Sequence, residues 1–334
     1  MPAAAPGFDP AGDARALVLA GTASPAPLPI PGTQLLGSLG PGQRFVLRVP
    51  TAWNGKLVVA GTPAVRSEFA SDAIWSDYVL ARGYAFAASN KCIPFNGYLD
   101  DAANVPPRLA YRLPFEIPGV DLRGKALRFG ALEPHTVGIA QQFADYVATI
   151  ETVKALLAER YGEPCRTYAV GLSMGGAQVR WLLESHPALA DGGVEWASVF
   201  WSPESNLLTQ LPGFLRLMPR YVASNFSDRQ AHDAVVALGF PPDRLQSDPR
   251  HPSLWLEHYS NVLPFYTDVS TFLYARLIDP ETPEHFELDE RAAYVPSPSA
   301  RRTIEGFAHR GALRKPLIGV AGEADTFVTP HVHA

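Results

Sequence analysis

The sequence predicts an α/β fold built on a mostly parallel, doubly wound sheet, and three observations predict it. Apolar runs of strand length at residues 56–61, 84–89 and 168–172 are continuous rather than alternating, the pattern of strands buried on both faces. Between them, segments at 72–82 and 137–161 carry apolar residues at helical spacing and stop at Gly83 and at Gly162 and Pro164. The run at 168–172 then enters a glycine-flanked serine, Gly171-Leu172-Ser173-Met174-Gly175-Gly176, and leaves it as a helical segment through Leu183. Strands that alternate with helices in this way join through crossovers into parallel sheets.

Taken in order, residues 1–31 are rich in Pro, Ala and Gly and read as an extended arm. Residues 34–39 and 44–49 flank Gly40-Pro41-Gly42 and read as an antiparallel hairpin. The strand 56–61, the helix 72–82 and the strand 84–89 follow. From Lys91 to Pro134, many Pro and Gly and no clear period point to an elaborated loop on the active-site side. The helix 137–161 leads to the serine strand, and Glu195 to Trp201 reads as the next strand. Residues 204–314 interrupt the alternation with aromatic, proline-cut helical patches that include Phe214, Trp255, Tyr259, Phe265, Phe272 and Tyr274, and they read as a cap inserted above the sheet. The core is expected to comprise 32–203 and to resume at 315–334 with the apolar run Leu317-Ile318-Gly319-Val320 and a polar turn carrying Asp325.

The serine motif has a chemical logic. A serine on so tight a strand-to-helix turn needs neighbours without Cβ atoms, because the strand behind and the helix ahead crowd Gly171 and Gly175. Such a turn lifts the Ser173 hydroxyl above the sheet. It also aims the Met174 N–H at the oxygen that turns negative when a carbonyl is attacked, which is the geometry of acyl transfer.

Composition narrows the alternatives. The chain has 334 residues, 47% hydrophobic and 18% charged, with a formal charge of −5. That balance leaves no positive excess to neutralise a phosphate backbone, so no nucleic-acid partner is expected. The longest apolar runs are strand-sized, so no membrane span is expected either. The N-terminus has neither a basic segment nor a continuous apolar one, so no export signal is visible, and the localisation stays open between secreted and cytoplasmic. Cys92 follows one strand and Cys165 precedes another, so in a parallel sheet they fall at opposite ends, about 20 Å apart against a disulfide limit of about 7 Å, and are expected as free thiols. No His, Cys and carboxylate grouping has metal-ligand spacing, so neither a metal nor another cofactor is expected.

These residues resemble the α/β-hydrolase superfamily from about Gln34 to the end. The quoted serine motif is similar to its nucleophile elbow, and Gly322-Glu323-Ala324-Asp325 to its acid turn. Residues 53–59 (Trp-Asn-Gly-Lys-Leu-Val-Val) and 80–87 (Leu-Ala-Arg-Gly-Tyr-Ala-Phe-Ala) are similar to bacterial esterases related to tannases, feruloyl esterases and polyhydroxyalkanoate depolymerases. The resemblance implies a serine hydrolase of carboxylic esters, polyester and aromatic esters included, with Ser173 as nucleophile and Asp325 as triad acid. An acyltransferase or peptidase on the same elbow, or a non-catalytic binding member of the fold, is the alternative.

The second oxyanion donor is implied in the loop after residue 61. Thr62 and Ala64 each have an N–H there and Pro63 has none, and Thr62 is the choice. The base is implied on a loop one strand beyond the acid, yet Ala334 follows only nine positions after Asp325. The expectation is therefore that the final strand and the base lie beyond Ala334. The candidates within the chain are His309, His331, His333 and His135.

Overall fold

The computed structural model describes residues 29–64, 66–94, 97–114, 121–134, 136–257, 259 and 266–329. Strands among them are β1 (Gly32–Gly40), β2 (Gln43–Pro50), β3 (Lys56–Gly61), β4 (Ala85–Ser89), β5 (Gly97–Asp101), β6 (Ala110–Tyr111), β7 (Lys125–Phe129), β8 (Arg166–Leu172), β9 (Gly192–Trp196) and β10 (Leu317–Val320). Helices are α1 (Asp77–Leu80), α2 (Ile139–Arg160), α3 (Met174–Ser185), α4 (Leu207–Ala223), α5 (Arg229–Ala237), α6 (Leu254–Glu257), α7 (Val269–Ile278), α8 (Leu288–Ala293) and α9 (Pro298–Glu305). The chain divides into two compact units.

The first unit draws on Met1–Gly97, Phe129–Ser198 and His309–Val320. Its seven-stranded sheet has the order β1-β2-β4-β3-β8-β9-β10. The β1–β2 hairpin and the β2–β4 pair are antiparallel, and every pairing from β4 to β10 is parallel. The continuous apolar runs are explained by the two faces of this sheet. On β3, Leu57 and Val59 join Ile150, Val153, Leu157, Val179 and Leu182 from α2 and α3. Val58 and Ala60 point the other way, into a cluster with Phe86, Val79 and Leu80. A strand buried on both faces cannot alternate in polarity. β10 ends the sheet with Ile318 63% and Val320 48% exposed.

Three boundaries depart from expectation. β9 begins at Gly192 rather than Glu195, because its parallel register starts with Tyr168 opposite Gly192, and two glycines of low strand propensity hide that start. It stops at Trp196, before Ala197 takes φ 42°. The helix expected over 72–82 opens as a π turn, Asp72–Ser76, before α1. There Arg48 donates to both carboxylate oxygens of Asp72, at 2.6 and 2.8 Å, and to Ser76 Oγ at 2.8 Å.

The second unit takes Tyr98–Arg128, Val199–Ala308 and Ala321–Ala334. Most of the segment expected as a cap falls here. The stretch expected as an elaborated loop contributes a small sheet of order β5-β7-β6, in which β6 has only two residues and β5 and β7 are interrupted by charged residues. Residues 309–314, expected in the cap, belong to the sheet unit. The turn bearing Asp325, expected in the core, belongs to the second unit.

The aromatic residues of this unit form its own core. Trp255 is fully buried, donates Nε1–H to Pro241 O at 2.9 Å and packs on His232 and Tyr221. Phe214 stacks on Phe240, while Phe265 lies outside the described residues. α4 runs through Pro212 and Pro219, burying Leu207, Leu211, Phe214, Leu215 and Met218 on one face, and this burial outweighs the backbone bonds that its prolines forgo. At the centre, Arg291 and Asp268 form a buried bidentate pair at 2.6 and 2.7 Å, and Tyr111 donates to the same carboxylate at 2.7 Å, tying β6 to the helices.

Leu57→Ala should destabilise the sheet unit by about 2–5 kcal/mol, as deletion of a fully buried leucine does elsewhere. Urea denaturation followed by circular dichroism measures it, and a loss below about 1 kcal/mol would mean that this site collapses around the gap.

Candidate active site

Ser173 lies between β8 and α3 with φ 57° and ψ −123°, a left-handed conformation that costs a residue with a Cβ on the order of 1–3 kcal/mol. The surroundings hold it there. The Ser173 N–H donates to Trp196 O at 2.9 Å, and Ser173 O accepts from Ala177 N at 3.1 Å. A Cβ on Gly171 would overlap Gly175 O, one on Gly61 would overlap the same oxygen, and one on Gly175 would overlap Gly61 O. The ends of β3 and β8 and the first turn of α3 thus meet backbone to backbone, which fixes the turn and brings the loop after β3 beside it.

Serine at a helix N-cap ordinarily accepts a bond from the first-turn amides. Ser173 makes no such side-chain bond. Its hydroxyl is therefore presented rather than used locally, and it is half-buried. Met174 opens α3 and carries one of the N-terminal amides that a helix cannot satisfy internally. A buried ion pair supports the helix from below: Arg180 Nε donates to Glu195 Oε2 of β9 at 3.1 Å, and Nη2 donates to Oε1.

In this unit the strand order β2-β4-β3-β8 with parallel β3, β4, β8, β9 and β10, and a strained serine between β8 and α3, decide the architecture. The chain has the α/β-hydrolase fold. No protein-family model matches it, and no curated protein does. Solved structures similar to this chain include feruloyl esterase B from Aspergillus oryzae, at 12% identity and TM-score 0.48, and an esterase from the same organism, at 14% and 0.49. Each alignment covers 90% of this chain and 66% of the other, so the chain spans just under two thirds of their length. A rice cell wall degrading esterase, LipA from Xanthomonas oryzae, is similar at 13% identity and TM-score 0.40, over 87% of this chain and 73% of that one.

The Thr62 amide, expected as the second oxyanion donor, has a partner inside the sheet unit. The Thr62 N–H donates to Gln178 Oε1 at 3.1 Å, and Gln178 Nε2 donates in turn to Gln142 O at 2.8 Å, so the Thr62 amide is engaged inside the unit. Thr62 Oγ1 donates to Ser89 O. In the same loop, the Ala64 N–H makes no hydrogen bond among the described residues. Gln178 had a sequence signal, a polar side chain one turn after Met174 between Ala177 and Val179, but nothing local tells which amide it meets 116 residues away.

His309, one of the candidate bases, is engaged inside the sheet unit. It is buried, with Nε2 at 3.0 Å from Ala177 O in the first turns of α3. Next to it, the amides of Arg310 and Gly311 donate to Glu184 at 2.7 and 3.0 Å. This segment clamps the elbow helix to the sheet unit. Burial, with a smaller contribution from Arg180, pushes the His309 pKa down to about 4, so the ring is neutral and donates to the carbonyl.

Asp325 Oδ1 accepts from the amides of Phe327 and Val328, both at 2.9 Å, which organises its turn. Ser173, Met174, Thr62 and His309 belong to the sheet unit, and Asp325 to the second unit. His135, His331 and His333 lie outside the described residues. Cys92 is buried and Cys165 exposed, and both are free thiols as expected, with burial and the nearby Asp145 pushing the Cys92 pKa up to about 12. Among the described residues no cluster of three or more His, Cys, Asp or Glu could hold a metal, and no helix is long and apolar enough to cross a membrane.

The buried histidine sets a pH dependence of stability. Between its unfolded pKa of about 6.5 and its folded value of about 4, the unfolded chain binds a proton that the folded chain excludes. Stability at His309 is therefore full above pH 6.5 and falls, by up to about 3 kcal/mol, as the pH drops through that window. Urea midpoints measured from pH 7 to pH 4 should fall more steeply for the natural chain than for His309→Gln, and equal slopes would count against a neutral buried ring.

Proposed function

We propose that the chain is a serine hydrolase acting on carboxylic esters. The observation that carries this reading is Ser173 itself, held at φ 57° by three glycine contacts while its hydroxyl forgoes the helix cap. Strain maintained by the surrounding backbone at a reactive side chain is a property of functional sites, and here it presents the one group that acyl transfer needs. The ester class rests on the resemblance of residues 53–59 and 80–87 to bacterial esterases.

Ser173 Oγ attacks the acyl carbon. The Met174 N–H and the Ala64 N–H receive the developing oxyanion, in place of the Thr62 amide that Gln178 engages. Asp325 orients a histidine that takes the serine proton and returns it to the leaving alcohol. Water then attacks the acyl-enzyme with the same histidine as base, and the acid leaves. No step calls for a metal or an organic cofactor.

An active-site phosphonate should label Ser173 alone, and Ser173→Ala should lower the hydrolysis of chromogenic acetate and butyrate esters by about 10³-fold or more while circular dichroism stays unchanged. Label mapped to another serine would sink the assignment. The rate should depend on a group titrating near pH 6–7. Where one of His135, His331 and His333 is the base, its replacement by Ala should abolish both turnover and that pH limb, and three variants that keep both would exclude all three.

A further inference from the structure

The loop after β3 is tethered by more than its own strand. Ala64 adopts φ 42°, a left-handed conformation that a residue with a Cβ leaves unless both flanks hold it. Upstream the flank is fixed: Thr62 is bonded through its amide to Gln178 and through its hydroxyl to Ser89 O, and Pro63 has a rigid ring. Downstream, Ala64 O accepts a hydrogen bond from Lys91 Nζ. This lysine is 1% exposed.

Its placement is built. Lys91 and Cys92 are consecutive left-handed residues, at φ 54° and 61°, directly after β4. Asn90 stabilises that turn by accepting from the amides of Arg44 at 2.8 Å and Cys92 at 3.2 Å, and by donating to Gly42 O at 2.8 Å and Ile93 O at 2.7 Å. Beneath it, the buried Asp145 carboxyl of α2 accepts from Ser89 Oγ at 2.6 Å and from Gln43 Nε2. Ser89 is the residue whose carbonyl holds Thr62. Two polar chains, one through Lys91 and one through Asp145 and Ser89, thus converge on the three residues 62–64.

We propose that Lys91 is a positioning residue for ester hydrolysis at Ser173: its buried amine holds the Ala64 carbonyl and so keeps the Ala64 N–H turned toward the oxyanion. The inference rests on the serine hydrolase reading and deepens it. Burying an amine without a carboxylate bonded to it is unfavourable for stability alone, whereas a loop that must stay left-handed at a non-glycine residue explains why an amine sits there. Burial lowers the Lys91 pKa to about 7, with Asp145 opposing the shift. Both protonation states keep N–H donors, so the hold on Ala64 persists on either side of neutrality.

The test uses the full chain, chromogenic esters and a trifluoromethyl ketone, whose adduct with a serine carries the oxyanion that the substrate acquires only during reaction. Lys91→Met keeps the apolar stem and removes the donor. It should lower kcat about 10- to 100-fold with KM changed less than about twofold, and weaken the ketone by a similar factor, a part of the 10²- to 10³-fold effect of deleting an oxyanion donor outright.

Ala64→Gly supplies the second arm. Glycine takes φ 42° without a steric penalty, so the loss on removing Lys91 should shrink severalfold in that background. If Lys91→Met does not fold, Lys91→Gln, too short to reach Ala64 O, replaces it with the same expected losses. Unchanged kcat and ketone affinity in a folded variant, a loss carried by KM alone, or equal losses in the natural and the Ala64→Gly backgrounds would each overturn the inference and leave the hydrolase reading standing. A natural chain that neither hydrolyses the esters nor binds the ketone at Ser173 would overturn the reading itself, and the inference with it.

Discussion

The contact on which the rest of the site depends contains no side chain. Gly61, Gly171 and Gly175 let the ends of two parallel strands and the first turn of a helix touch through their backbones, and a methyl group at any of the three would collide with a carbonyl oxygen. That close approach holds Ser173 in a strained conformation. The same approach brings Thr62 against α3, where Gln178 reaches its amide. Hydrophobic burial on both faces of β3 supplies the stability against which this strain is held.

Buried polar groups then do what apolar packing cannot, which is to fix directions. Gln178, Asp145, Lys91, Asn90 and Glu195 are all buried in the sheet unit, and each makes hydrogen bonds to backbone or to a partner side chain near the ends of β3, β4, β8 or β9. Leucines at those places would pack as well but would leave the loops free to choose among several conformations. The polar residues cluster at the strand ends, where backbone groups leave the ladder and need partners. Along β3 itself, Leu57 and Val59 on one face and Val58 and Ala60 on the other are apolar.

Much of this was legible in the sequence where one segment carries its own signal. The runs at 56–61 and 84–89 could only be doubly buried strands, and the glycine spacing around Ser173 announced the turn. What could not be read depends on partners far along the chain. Nothing near Thr62 says that Gln178 takes its amide, and nothing near His309 says that Ala177 O takes its ring nitrogen and leaves it as a clamp. Gly192 and Gly193 hid the start of β9 because strand propensity was overridden by pairing with β8. The strands β5 to β7 were invisible because β6 has only two residues and neither β5 nor β7 is a continuous apolar run. Trp255, read as a residue of an aromatic cap above the site, proved to be interior to its own unit.

The outer strand of the sheet has a consequence for handling the molecule. β10 offers one row of backbone donors and acceptors with no strand beside it among the described residues, and Ile318 and Val320, two apart, present their side chains on the same exposed face. No charged residue falls within the strand and no proline interrupts it; Lys315 and Pro316 stand just before it. A row of this kind recruits further strands, from another copy or from any unfolded segment nearby.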